Sequence, residues 1–214
     1  MRIRRVGSAM VVFLFAALFI VSTNAIVRAQ TSSQTEDTKE DETNLDTQLY
    51  LLVATNQNVA DEKLPAALDG VVKQLHATLP YKNYRLAATL LNRVKNLGRL
   101  DLNWIGGPIG MNPGTLPGDA RTFSQFKVRI VKLAKNAAGE SVVQMQGFNF
   151  GARIPIQVRQ VATNGAPPVI DYEPTGLSTD ISIREGEPAV VGTLNVGPSG
   201  DAIILVVAAK RTNR

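Results

Sequence analysis

The chain has 214 residues, no cysteine and a single histidine, His76. Without cysteine it can form no disulfide and cannot be a cysteine-acylated lipoprotein, so burial alone must stabilise it. A zinc site needs several His or Cys ligands, and a Ser-His-Asp triad would have to use His76. No G-x-S-x-G motif is present. We therefore expect no metal, no cofactor and no enzymatic activity, with His76 half-exposed on a helix.

The N-terminus predicts an export signal. Basic residues (Arg2, Arg4 and Arg5) precede an apolar run over 9–21, and small residues follow it. This order is typical of a cleaved signal peptide, and the run is shorter than the roughly 20 residues that a spanning helix needs. Cleavage after Ala25 or after Ala29 satisfies the pattern equally, and the second defines a signal over 1–29. We expect an exported bacterial protein, periplasmic or extracellular, with no stable membrane span after cleavage.

The charge of the chain is uneven. Its formal net charge is +5, but loss of Arg2, Arg4, Arg5 and Arg28 with the signal would leave 19 basic and 18 acidic residues. Residues 30–47 hold six acidic side chains, one lysine and almost no apolar residue, which predicts a disordered acidic leader. The basic residues of 48–214 are scattered and have few aromatic neighbours, so we expect no nucleic-acid partner.

Hydrophobic periodicity predicts one helix among many strands. Residues 48–54 form a short apolar run typical of a buried strand. Within 64–79, Leu64, Leu68, Val71, Val72, Leu75 and Leu79 share one helical face, and Pro80 ends the helix. Residues 84–94 fit either a strand or a helix.

Alternating apolar residues after position 98 predict further strands, separated by glycine and proline turns. We expect strands near 100–104, 126–130, 141–147, 154–161, 177–183, 189–196 and 202–209. The fold class is therefore α+β and mostly β: a single domain over 48–214, built as an antiparallel sandwich or curled sheet with one N-terminal amphipathic helix packed on it.

Four residues are candidates for ligand binding. Trp104 precedes the glycine- and proline-rich stretch 106–118, which predicts a loop and lacks the Gly-Lys-Ser/Thr of a phosphate-binding loop. Trp104 fits a core position better than the floor of a surface groove. Asp171, Tyr172 and Glu173 could contact a sugar, and paired carboxylates can hydrolyse glycosides. Solvated residues of a turn explain Asp171 and Glu173 better, as they explain the Glu185 and Glu187 pair.

Three stretches carry a resemblance to known proteins. They are Leu79-Pro80-Tyr81-Lys82-Asn83-Tyr84, the alternating run over 180–187, and Val190-Val191-Gly192-Thr193 leading into Ile203-Ile204-Leu205-Val206. Together they resemble uncharacterised exported bacterial proteins. The C-terminal hairpin alone is similar to periplasmic modules associated with secretins and pili. The resemblance implies a periplasmic accessory or assembly module without catalytic residues.

Two functional hypotheses follow, ahead of a carboxylate-based hydrolase. The first is a non-catalytic envelope module that binds an envelope protein or a second copy of itself, in a secretion or pilus system. The second is a carbohydrate- or ligand-binding β-sandwich with its site at Trp104 and the 106–118 loop.

Overall fold

The computed structural model describes residues 42–58, 63–107, 109, 120–159, 169–196 and 200–212. Within these ranges the chain forms eight strands and one short α-helix. In chain order they are β1 (Asn44–Thr55), α1 (Asp69–Thr78), β2 (Asn83–Lys95), β3 (Gly98–Gly106), β4 (Thr122–Lys135), β5 (Ser141–Arg159), β6 (Val169–Arg184), β7 (Ala189–Val196) and β8 (Asp201–Arg211). The predicted signal and most of the 106–118 loop lie outside the described residues.

The strands form two four-stranded antiparallel sheets. Sheet A has the order β2-β1-β8-β7, and sheet B has the order β3-β4-β5-β6. One hydrophobic core contains inward-facing residues of both sheets, among them Leu51 and Leu205 from sheet A and Phe126 and Phe148 from sheet B. The two sheets therefore pack as a sandwich, which agrees with the mostly β, antiparallel fold predicted from the sequence.

Sheet A is covered on both faces. The inward residues of β1 and β8 enter the core between the sheets, while Tyr50, Leu52, Ile204 and Val206 belong to a second buried cluster on the outer face. This explains why the β8 sequence is apolar without alternation, since a strand covered on both sides has no solvent-facing residues.

The helix α1 provides the cover for that outer face. A short 3₁₀ turn, Ala66–Leu68, precedes it, and Leu68, Val71 and Leu75 are buried against sheet A. Leu64, Val72 and Leu79 are partly buried in the same cluster. The predicted amphipathic face is thus the one that packs on the sheet.

Several boundaries differ from the sequence predictions. Residues 84–94, for which the sequence fits either a strand or a helix, form a strand within β2. β5 runs unbroken from Ser141 to Arg159, where two strands were predicted, because Asn149 and Gly151 keep their register with β4. β1 begins at Asn44, so the last four residues of the predicted leader are part of sheet A; residues 30–41 lie outside the described residues.

Gly147 changes the alternation of sheet B. Its φ of 62° lies in the left-handed region that favours glycine, and the register of β5 against β6 shifts between Met145 and Phe148. Met145 and Phe148 are consequently both buried. They are three positions apart, so strict alternation would place them on opposite faces of the sheet. Among the described residues, no helix has the length and apolar character needed to cross a membrane.

Candidate functional site

A hollow of about 620 Å³ lies on the outer face of sheet B. All four strands of the sheet line it, and no described residue of sheet A does. The outer face of sheet B therefore offers a concave surface near the end of the sandwich where β3 finishes and β4 starts.

Two rows of residues cross the sheet at the hollow. In the first row the register partners are Ile105, Phe123, Arg153 and Pro174, one from each strand. Asn103, Gln125, Gly151 and Gly176 form the second row in the same way. We call the first the apolar row, because three of its four residues are apolar, and the second the glycine row.

The floor of the hollow exists because Gly151 has no side chain. A Cβ atom placed at Gly151 would meet no atom within 4 Å, so the space above its backbone is open. Gly176, its neighbour on β6, is glycine for a different reason. A Cβ atom there would lie 2.4 Å from the backbone oxygen of Phe150, a distance that no real side chain tolerates.

The apolar row forms one wall of the hollow. Ile105 is 65% exposed and Phe123 is 45% exposed. Tyr172, two residues before Pro174 on β6, meets the ring of Phe123 edge-on with 5.7 Å between ring centroids. This contact spans β5 and joins the aromatic side chains of β4 and β6 into one surface.

The glycine row ends in a pair of amide side chains. Gln125 donates a hydrogen bond from Nε2 to the Oδ1 atom of Asn103, at 2.9 Å. Further from the apolar row, Lys127 forms an ion pair with Asp101 at 3.3 Å. Polar side chains of β3 and β4 thus lie on the same face as Ile105 and Phe123, one row further along the sheet.

The structure separates the four residues predicted from the sequence. Trp104 packs against the core, with its ring 6.3 Å from that of Phe150, and it also lines the hollow from β3. Tyr172 lies on the side of the apolar row. Asp171 and Glu173 are exposed on the opposite side of β6, because successive strand residues alternate. All three are within β6 instead of the predicted turn.

The clear pKa shifts arise away from the hollow, and each has a structural cause. A hydrogen bond from Arg93, 2.8 Å long, lowers the pKa of Asp46. Hydrogen bonds from Arg211 lower the pKa of Glu185. Burial raises the pKa of Tyr50 and Tyr84. Asp46, Tyr50 and Tyr84 lie on strands of sheet A, and Glu185 lies in the turn that leads into that sheet.

Among the described residues, His76 and possible groups of metal ligands are the other features relevant to catalysis. His76 is exposed on α1, and its ring meets that of Tyr84 edge-on at 4.7 Å. The part of the chain that the structure describes holds no group of three or more side chains able to bind a metal ion.

Sequence reasoning missed the residues that define the hollow. Ile105, Phe123 and Arg153 are far apart in sequence, and only the strand register brings them into one row. A partial signal existed in β4, where Phe123 falls on the polar side of the alternation set by Phe126 and Val128. An aromatic residue on the solvent face of a strand marks a candidate contact surface.

Known proteins give weak matches. No family model and no curated protein matches the chain. The secretin InvG of the Salmonella SPI-1 type III secretion injectisome is 10% identical, with a TM-score of 0.39 over 97% of this chain and 71% of that one. The Klebsiella pneumoniae type II secretion outer membrane complex of PulD, PulS and the PulC HR domain is 11% identical, with a TM-score of 0.36 over 80% and 39%. The V. cholerae type IV competence pilus secretin PilQ is 11% identical, with a TM-score of 0.31 over 80% and 59%.

Proposed function

We propose that this chain is a non-catalytic interaction module of the bacterial cell envelope, and that it binds a protein partner through the outer face of sheet B. The observation that carries the proposal is the exposed apolar row beside the hollow. Ile105 and Phe123 leave much of their apolar surface in water, although burying such a side chain is worth about 2 kcal/mol. A cluster of exposed apolar side chains around a concavity is typical of an interaction site.

The composition of the surface favours a protein as the occupant. Aromatic residues and arginine are enriched at the centres of protein interfaces, and polar residues are typical of their rims. Phe123 and Arg153 line the hollow, and Tyr172 contacts Phe123. The hydrogen-bonded Asn103 and Gln125 also line it, and the Lys127–Asp101 ion pair lies one row further along the sheet. This arrangement resembles an apolar anchor point surrounded by a solvated edge.

The signal predicted from the N-terminal sequence supports the envelope as the location. The resemblance of the C-terminal hairpin to secretin- and pilus-associated modules makes such machinery the first place to seek the partner. Genes for secretion or pilus assembly beside the gene for this chain would support that setting.

Site-specific photocrosslinking tests the proposal. A photoreactive amino acid at position 105 should give a discrete crosslinked species in the native cells, and Phe123→Asp in the same chain should abolish it. The control position is Leu91, which is 70% exposed on β2 of sheet A. Equal crosslinking from positions 105 and 91, or no crosslinked species together with a monomeric purified protein, would refute the proposal.

A carbohydrate ligand is the second candidate. The hydrogen-bonded amides of Asn103 and Gln125 lie in the row next to Phe123, whose ring contacts that of Tyr172, and sugars use both kinds of contact. Binding to a glycan array that is lost in Phe123→Ala would favour this function. Trp104→Ala is a less specific test, because Trp104 both packs against the core and lines the hollow.

A further inference from the structure

Arg153 occupies the middle of the apolar row. Its register partners are Phe123 on β4 and Pro174 on β6, so apolar residues flank it on both sides. The side chain is exposed. Within the described part of the chain, no carboxylate oxygen lies within the 4.0 Å that defines an ion pair with its guanidinium, whereas Arg93, Arg184 and Arg211 each have such a partner.

An arginine in this position is suited to a carboxylate. The planar guanidinium can donate two parallel hydrogen bonds to the two oxygens of a carboxylate. When a ligand covers the hollow, the apolar neighbours exclude water from such a pair, which strengthens it compared with a pair on an open surface.

The floor of the hollow adds a second requirement that the ligand must meet. Gly151 and Arg153 are two positions apart on the same face of β5, a separation of about 7 Å. The space above Gly151 is open, and Ile105 and Phe123 line the same hollow. A ligand that fills this space with an apolar group therefore has its next few atoms within reach of Arg153.

Building on the proposed function, we infer that the partner segment places an aromatic or aliphatic side chain over Gly151 and a carboxylate against Arg153. The carboxylate belongs to an acidic residue close to the apolar one. Charge complementarity at Arg153 thus narrows the partner to an acidic, apolar protein segment.

N-acetylphenylalanine is the smallest probe that carries both groups, and N-acetylphenylalaninamide is its match without the charge. Each is titrated at neutral pH into the ¹⁵N-labelled protein, and the backbone amide shifts of Phe123, Gly151 and Arg153 are followed. For a ligand of this size we expect a dissociation constant on the order of 1 mM for the acid. The amide should bind about tenfold more weakly.

Two arginine variants locate the charge that matters. Arg153→Gln should weaken the acid about tenfold and leave the amide unchanged. Arg99→Gln is the matched control, because Arg99 is also exposed on β3 and lies about 20 Å from Ile105 along that strand. It removes the same charge from the sheet and should leave both titrations unaltered.

The outcomes separate this inference from the proposed function. Equal affinities for acid and amide, or an Arg153→Gln variant that binds the acid as the unmodified chain does, would overturn the carboxylate contact. Shifts centred on Arg99 would also overturn it, because they would show nonspecific attraction to any cation. Crosslinking from position 105 does not depend on Arg153, so it judges the interaction surface separately.

Discussion

The two glycines of the hollow should respond in opposite ways to the same substitution. Gly151 and Gly176 are register partners on adjacent strands, so Gly151→Ala and Gly176→Ala place a methyl group at neighbouring points of one sheet. A Cβ atom at Gly151 meets nothing within 4 Å, whereas one at Gly176 lies 2.4 Å from the Phe150 oxygen and 3.1 Å from the Cα atom of Gly151.

The magnitudes follow from these distances. Glycine inside a strand costs about 0.5–1 kcal/mol compared with alanine, because the unfolded chain has more freedom to lose. Gly151→Ala should therefore raise the free energy of unfolding by about that amount and Tm by about 1–4 °C. Gly176→Ala gains the same term but must displace backbone, which costs about 1–3 kcal/mol. Its Tm should fall, by up to several degrees.

Thermal unfolding followed by circular dichroism measures both changes. A larger residue then connects stability with function: Gly151→Leu should fill the hollow, abolish crosslinking from position 105 and leave Tm at or above that of the unmodified chain. A lower Tm for Gly151→Ala would refute the open floor at that position. Retained crosslinking in a folded Gly151→Leu variant would refute the role of the hollow.

Three further predictions concern the rest of the fold. Arg211 binds Glu185 through its side chain and backbone, at distances from 2.9 Å, and lowers the pKa of that carboxyl below its ordinary value of 4.5. The pair therefore stabilises the fold fully above the unfolded pKa, and this contribution is lost as pH falls through the lower folded pKa. Glu185→Gln should cost about 1 kcal/mol at pH 7 and flatten the acid limb of a Tm-versus-pH curve; parallel curves would contradict this. Leu75→Ala, at the buried contact between α1 and sheet A, should cost about 2–4 kcal/mol in urea unfolding, against less than about 0.5 kcal/mol for exposed Leu91→Ala. Trp104→Ala should cost about 2–3 kcal/mol in the same assay, and a neutral result would show that its ring is not part of the core.

Local patterns predicted the elements that bury one clear face. The helix that buries Val71 and Leu75 follows from the spacing of its apolar residues, although it begins at Asp69 after a 3₁₀ turn. The covered strand β8 follows from its unbroken apolar run. Patterns failed where tertiary pairing decides. Gly151 lies between the predicted strands 141–147 and 154–161, but pairing with Gln125 on one side and Gly176 on the other keeps it within β5.

The candidate site could not be predicted for a related reason. In the sequence, Asp171 and Glu173 are candidates because they are paired carboxylates. The residue that contacts Phe123 across the sheet is instead their neighbour Tyr172. Which of three consecutive residues faces the hollow depends on the strand register, and one position of slip would exchange them. A single sequence shows that residues alternate between the two faces of a strand, but it does not show which of the two sets faces the hollow.

The two outer faces of the sandwich explain why function and stability should separate in this protein. On sheet A, α1 covers the outer apolar residues, so Tyr50 and Leu52 are buried. Replacing either of them with a smaller residue should therefore lower the stability of the fold. On sheet B, Phe123 has no element packed over it among the described residues, and it remains 45% exposed. Replacing it with a polar residue should therefore cost the isolated chain little, while a partner that covers it would lose a buried aromatic anchor. A variant that keeps its Tm and loses its partner is the result that distinguishes an interaction surface from a patch of exposed core.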